Sequence, residues 1–197
     1  MMRLFVAIEL PESVRVRLAM LAGGIPGARW VPAENMHLTV RFIGEVDEAS
    51  VHDVDAALQS VEAPAFELTL EGIGHFGPPR AARSLYVGVA RNPALAHLRD
   101  KIESALVRAG FEPEGRKFSP HITLARLRNA RGSRITAFIA GNNLFREGPI
   151  AVEGFTLFSS FRGHNGAIHT PERFYPLAPV GAEVETDMPP ASPDDGD

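Results

Sequence analysis

A histidine and a threonine stand two positions apart in His37-Leu38-Thr39-Val40, and the same pair recurs in His121-Ile122-Thr123-Leu124. Side chains alternate faces along a β-strand, so His and Thr at i and i+2 share one face while the aliphatic residues point into a core. A single His-x-Thr in an apolar run carries little information. Two of them read as a duplicated half-site: each opens a strand-like run just after a turn-prone residue (Asn35, Pro120), and each is followed within five residues by an arginine (Arg41, Arg126). Set side by side, the two strands would place two imidazoles face to face with a hydroxyl beside each. Imidazole can take up or release a proton near neutral pH, and hydroxyls can donate to oxygen. The arrangement supplies an acid, a base and two hydrogen-bond donors around one small anion.

The arginines differ in register. In a regular strand Arg41, at i+4 from His37, stays on the histidine's face, whereas Arg126, at i+5 from His121, turns to the opposite face unless a bulge re-aims it. On geometry alone Arg41 is the better-placed contact for that anion. Net charge points the same way as the motifs once it is read locally. The chain as a whole carries -4, but residues 181–197 hold six of its 24 acids and none of its 20 Lys and Arg residues. The segment from Arg116 to Arg134 holds Arg116, Lys117, Arg126, Arg128, Arg131 and Arg134 and no acid. A basic face therefore brackets the second motif, the sign an anionic substrate needs. The 181–197 tail is acidic, Pro-rich and poor in aromatics, a composition that predicts disorder.

These residues need a scaffold, and the chain of 197 residues is long enough for a substantial core. Arg3–Glu9 reads as a buried strand, and Pro11 opens a helix with Val14, Leu18 and Leu21 on one side, ended by Gly23-Gly24. Arg29–Val31 is a short extended piece. His37–Ile43 is predicted to be a strand stopping at Gly44, and Asp47 to cap a helix carrying Val51, Val54, Leu58 and Val61 on one face. Phe66–Gly72 and Ser84–Ala90 read as strands. Asn92-Pro93 opens a helix with a stripe of Leu95, Leu98, Ile102, Leu106 and Ala109. Phe118–Leu127 is the second motif strand, 133–140 a short helix, Ile150–Ser159 a strand and Arg173–Leu177 a last short one. There is no regular βαβ alternation and no Gly-rich phosphate loop, so the expected class is α+β with antiparallel sheets and an internal pseudo-repeat.

The chain has no cysteine, which excludes a disulfide scaffold, a thiolate nucleophile and Cys-ligated zinc. Its N-terminus reads as a first strand rather than a signal peptide, and no stretch approaches the ~18 apolar residues of a membrane span. A cytoplasmic location and no membrane partner are the expectation. Among the other histidines, His52 and His97 fall on polar helix faces. His75, in the turn GIGHFGPP, is a candidate for a cleft rim; His164 and His169 flank a glycine-containing turn, where near a cleft they could touch substrate, though loop histidines are usually exposed. No His-x-x-x-His spacing of a helical zinc site occurs, and both motif histidines have a proton-transfer task, so no metal is expected. Phe42, Phe76, Phe118 and Phe161 lie at strand spacing as core candidates, with Phe42 and Phe76 also candidates for stacking on a planar ring of a ligand. Trp30 is open between packing and rim.

The stretches RLFVAIELPESV, RWVPAENMHLTVRFIGEV, FELTLEGIGHFGPPRAARSLYVGV, KFSPHITLARL and VEGFTLFSSFRGHNGAIHTPERFYPL resemble the 2H phosphoesterases, specifically the RNA 2',3'-cyclic phosphodiesterase (2'-5' RNA ligase-like) branch. The resemblance covers roughly residues 3–178. It implies a bilobed α+β fold over residues 1–180, two pseudo-twofold-related lobes with antiparallel sheets lining a central cleft, and one His-x-Thr from each lobe in that cleft. It implies His37 as proton donor and His121 as proton acceptor, an order the nearly symmetric motifs do not themselves settle. Thr39 and Thr123 would bind the phosphate, and the family's ALAR-like run favours Arg126 over Arg41 for the same task. Where the family often has Trp before the long helix, this chain has Tyr86, a change that touches packing or stacking rather than the reaction.

The activity implied is hydrolysis of a terminal RNA 2',3'-cyclic phosphate to a 2'-phosphomonoester, without cofactor, on a tRNA-like or oligonucleotide substrate and by a monomer. Two rivals stay open. One is a cyclic phosphodiesterase for a small nucleotide of the ADP-ribose cyclic phosphate type; the other is a non-catalytic nucleotide-binding module.

Overall fold

The computed structural model describes residues 1–164 and 166–180. The acidic stretch 181–197, predicted from composition to be disordered, lies outside the described residues. Among the described residues, nine strands and four α-helices make an α+β architecture with two antiparallel sheets. The first sheet contains β1 (Met2–Glu9), β3 (His37–Val46), β8 (Gly154–Gly163) and β9 (Gly166–Pro176) in the order β3-β1-β8-β9. The second contains β2 (Ala28–Trp30), β4 (Phe66–Phe76), β5 (Ser84–Val89), β6 (His121–Leu127) and β7 (Arg146–Val152) in the order β2-β6-β5-β4-β7. The helices are α1 (Glu12–Ala19), α2 (Val51–Gln59), α3 (Pro93–Arg108) and α4 (Gly132–Asn142). None is long and apolar enough to cross a membrane.

The element order nearly repeats. In the first half β1 and β3 form an antiparallel pair with α1 between them in sequence, and in the second half β5 and β6 do the same around α3. Strands are exchanged between the halves: β4 pairs with β5, and β8 pairs with β1. Each sheet is therefore completed by two strands from the other half of the chain, β8 and β9 in the first and β2 and β4 in the second.

Helical periodicity explains how the outer layer attaches. In α3 the buried residues are Leu95, Leu98, Ile102, Ala105 and Leu106, one apolar stripe at three- and four-residue spacing. Its start is fixed by Asn92, whose side-chain oxygen accepts from the Leu95 amide at 2.9 Å, with Pro93 in the first turn. The same logic seats Val54, Ala57 and Leu58 of α2. Leu38 and Val40 of β3 and Ile122 and Leu124 of β6 join this one core, each side chain contributing roughly 1.5–3 kcal/mol by leaving water.

Several boundaries differ from expectation. β3 does not stop at Gly44 but runs on to Val46, with Gly44 at φ 100° absorbing a bulge opposite Leu4. β4 likewise continues through Gly72, at φ 73°, to Phe76. Asp47 does not cap α2; its carboxylate accepts from the Ser50 amide in the preceding turn at 2.8 Å. The single strand predicted over Ile150–Ser159 is two, β7 and β8, which break at Glu153 and enter different sheets. The second motif strand starts at His121 rather than Phe118, and the short last strand is the long β9, hairpinned to β8.

Candidate active site

Both motifs open their strands, and the two strands approach one another where the sheets meet. From each histidine onward, β3 and β6 show the same burial: half-buried, buried, half-buried, buried, buried, exposed. The fourth and fifth positions are both buried because each strand carries a bulge there. In β3 the register steps from Ala7↔Thr39 to Val6↔Arg41, skipping Val40, and in β6 from Tyr86↔Thr123 to Leu85↔Ala125, skipping Leu124. One extra residue inverts the alternation downstream. His, Thr and the residue at His+5 then share a face, and His+4 turns into the core.

This bulge overturns the placement of Arg41. Rather than lying on the His37 face as a phosphate contact, Arg41 is buried at 4% exposure. Its guanidinium is paired with Glu103 of α3 and donates to the carbonyls of Phe42 and Glu112. Arg41 thus ties the first motif strand to α3 and to the loop that leads into the second motif. At the matching position of β6 stands Ala125, also buried. The residues re-aimed onto the histidine faces are Phe42 and Arg126, both exposed. Phe42 stands beside Phe5 with ring centroids 6.0 Å apart. Arg126 is close enough to His121 for its charge to oppose protonation of the ring.

Each imidazole is held by backbone and walled by aromatic rings. Nδ1 of His121 donates to the Ser119 carbonyl at 2.7 Å, which leaves Nε2 as the nitrogen able to face a substrate. Phe76 meets this ring edge-on at 4.7 Å and Tyr86 lies at 5.4 Å. Tyr86 can lie there because its cross-strand neighbour is Gly74, where a Cβ would sit 2.5 Å from the tyrosine ring. His37 is hydrogen-bonded to the backbone of Asn35. Its ring centroid lies 4.9 Å from Phe5, 5.8 Å from Phe158 and 5.3 Å from His169, the last edge-on.

These surroundings set the proton affinities. Burial, and secondly the neighbouring His169, pull the pKa of His37 down to about 4. Burial also lowers His121, with Arg126 adding to the effect and the bond to Ser119 opposing it. In the unliganded site both rings are therefore harder to protonate than a free imidazole. Thr39 and Thr123 are half-buried on the same faces as their histidines.

Sequence reasoning passed over part of this lining. Phe5 and Phe158 form, with Ala7, a small apolar cluster apart from the main core. His169, expected beside a turn and exposed unless near a cleft, is in β9 opposite Ser160, against Phe5 and His37. No alternation pattern marks these residues, because an apolar run buried on both faces hides which side is which. The side-chain amide of Asn35 donates to the Ala167 carbonyl at 3.1 Å, fastening the start of the first motif to the same hairpin. His75 lies one residue from Phe76, on the other face, opposite the fully buried Leu85. Trp30 packs on Phe138 of α4 at 5.5 Å, which places it in packing. Among the described residues, no group of three or more His, Cys, Asp or Glu side chains is arranged to hold a metal ion.

Comparison with known proteins adds to this geometry. The model of the LigT-like phosphoesterases matches in two successive segments, residues 8–86 and 87–169, one containing each His-x-Thr. An RNA 2',3'-cyclic phosphodiesterase of Escherichia coli is 32% identical over 179 residues, covering 89% of this chain and 96% of that protein. One from Aeropyrum pernix is 39% identical over 118 residues, covering 59% of this chain and 66% of that protein. The crystal structure of Escherichia coli LigT complexed with 3'-AMP superposes with a TM-score of 0.71 at 29% identity, covering 89% of this chain and 98% of that one.

Proposed function

Because the chain belongs to the LigT-like phosphoesterase family, we propose that it opens the terminal 2',3'-cyclic phosphate of RNA to a 2'-phosphomonoester by paired-histidine acid and base catalysis. The observation that carries this reading is the matched bulged register of β3 and β6, which gives each half-site a backbone-anchored imidazole with a threonine hydroxyl beside it. The substrate class comes from relatives that bear the name RNA 2',3'-cyclic phosphodiesterase.

Water attacks phosphorus in line with the 3'-oxygen. His121 accepts the water proton as the new P–O bond forms, and His37 donates a proton to the departing 3'-oxygen as the old bond breaks. Thr39 and Thr123 donate hydrogen bonds to the non-bridging oxygens, and Arg126 opposes the charge that builds there. A histidine whose burial lowers its pKa is a strong acid once protonated, which suits transfer to an alkoxide leaving group. The bound phosphodiester anion is what favours that protonation, since an adjacent negative charge stabilises imidazolium. By microscopic reversal the same groups would join a cyclic end to a 5'-hydroxyl as a 2'-5' linkage.

Regiochemistry tests the assigned roles. Hydrolysis of an oligonucleotide with a 2',3'-cyclic end should yield one isomer, the 2'-phosphate, read by phosphorus NMR against both standards. A mixture, or mainly 3'-phosphate, would refute the roles given to His37 and His121 while leaving a phosphodiesterase standing.

A further inference from the structure

Strand β2 is three residues long and pairs antiparallel with β6, with Arg29 as the direct partner of Arg126. Directly opposed residues of an antiparallel pair project from the same face, with Cβ atoms about 4.5–5.5 Å apart. Two guanidinium side chains therefore leave the face that carries His121 and Thr123. Both arginines are exposed. Neither has an acidic partner among the described residues, whereas Arg17, Arg41, Arg99, Arg146 and Arg173 each have one.

Like charges directly across a ladder destabilise it. Here nothing local relieves them: on its other side Arg126 is paired with Ser84, and the exposed Arg128 lies just past the end of β6. β2 is held by its ladder with β6, by the Val31 amide donating to the Leu124 carbonyl at 2.8 Å and by the packing of Trp30 on Phe138. An unrelieved pair of cations at the rim of the site is a seat for anionic charge beyond one phosphate. With the reacting phosphate held by Thr39, Thr123 and Arg126, Arg29 is left facing a second one.

We propose that Arg29, on the strand flanking the second motif, binds the phosphodiester that joins the terminal nucleotide to the rest of the RNA, so that this subsite selects oligonucleotide ends over cyclic mononucleotides. The inference rests on the activity proposed above and adds a specificity determinant to it.

The test compares wild type, Arg29→Ala and Arg29→Lys on adenosine 2',3'-cyclic phosphate and on a dinucleotide with the same cyclic end. Arg29→Ala should lower kcat/KM about tenfold on the dinucleotide and less than about twofold on the mononucleotide, with Arg29→Lys between it and wild type. The salt dependence of dinucleotide binding should also weaken by about 0.7 in log–log slope, the value for one lost single-strand phosphate contact. Equal losses on both substrates, or no loss on the dinucleotide, would overturn the subsite. Equilibrium binding of 3'-AMP and of a 3'-phosphorylated dinucleotide reads the same ratio without turnover. An enzyme that hydrolyses neither cyclic substrate would refute the proposed activity, while the binding ratio would still decide the role of Arg29.

Discussion

His37 and His121 begin strands with the same sequence of buried and exposed positions, yet their surroundings differ. His37 is enclosed by Phe5, Phe158 and His169, and its pKa falls to about 4. His121 is walled by Phe76 and Tyr86 and lies near the exposed Arg126. Two positions make the contrast sharper. At His+4 the first half has Arg41, buried in an ion pair, and the second has Ala125; at His+5 the first has Phe42 and the second Arg126. One half-site is drier and aromatic, the other cationic. A duplicated backbone thus supplies two equivalent rings, and the residues grafted around it make them unequal, as the acid and base roles proposed for them require.

The most severe break of this pair is removal of either ring. His37→Ala and His121→Ala should each lower kcat by about 10²–10⁴-fold with the fold retained. The double variant should lose much less than the product of the two, because the rings act as a unit. Near-normal single-turnover rates in either variant would end the two-histidine mechanism.

Next in size is the exchange of roles between the two arginines. Arg41→Ala leaves Glu103 without its buried partner and should cost about 3 kcal/mol in chemical denaturation, with much smaller change in the activity of the folded protein. Arg126→Ala should do the reverse, lowering kcat/KM about 10- to 100-fold while leaving the melting temperature nearly unchanged. If Arg41→Ala instead reduced activity at unaltered stability, the placement of that side chain in the core would be wrong.

That contrast also marks how far the sequence could be read. The His-x-Thr pairs were legible because a period of two needs only residue types and spacing, and the helices because their stripes and the Asn92-Pro93 start are local. The bulges were not. Val40 and Leu124 are ordinary strand residues, and what makes them extra is the ladder each strand enters, with Val6 and Ala7 on one side and Leu85 and Tyr86 on the other. Hence Arg41 and Arg126 exchanged faces relative to a regular strand. Gly44 and Gly72 misled for the same reason, since a glycine at positive φ serves a bulge inside a strand as well as a strand end. Phe5, Phe158 and His169 became visible only when β8 and β9 were placed beside β1.

The smallest effects concern pH. Because both rings are lowered from 6.5, the pair carries the single proton it needs only in mildly acid solution. The profile of kcat/KM, which reports the free enzyme, should peak below pH 6.5 and fall as pH rises past the upper apparent pKa of the pair. The profile of kcat should peak at higher pH, since the bound anion raises both rings. Coincident profiles would contradict this. Replacing His169 by Phe keeps a ring against His37 but removes its opposing charge, and should move the lower apparent pKa of kcat/KM up by a fraction of a unit.

The strand exchange between the halves has a consequence for how the molecule can come apart. Phe76, beside His121, arrives on β4 from the first half of the chain, and Phe158, beside His37, arrives on β8 from the second. A nick between β4 and β5 would separate the peptide without separating the lobes, because each fragment would still be gripped by a strand of the other. Either fragment alone would present open sheet edges, at β1 in one and at β5 in the other, which are templates for aberrant pairing. Partial unfolding of one half would accordingly withdraw an aromatic wall from the other half's histidine.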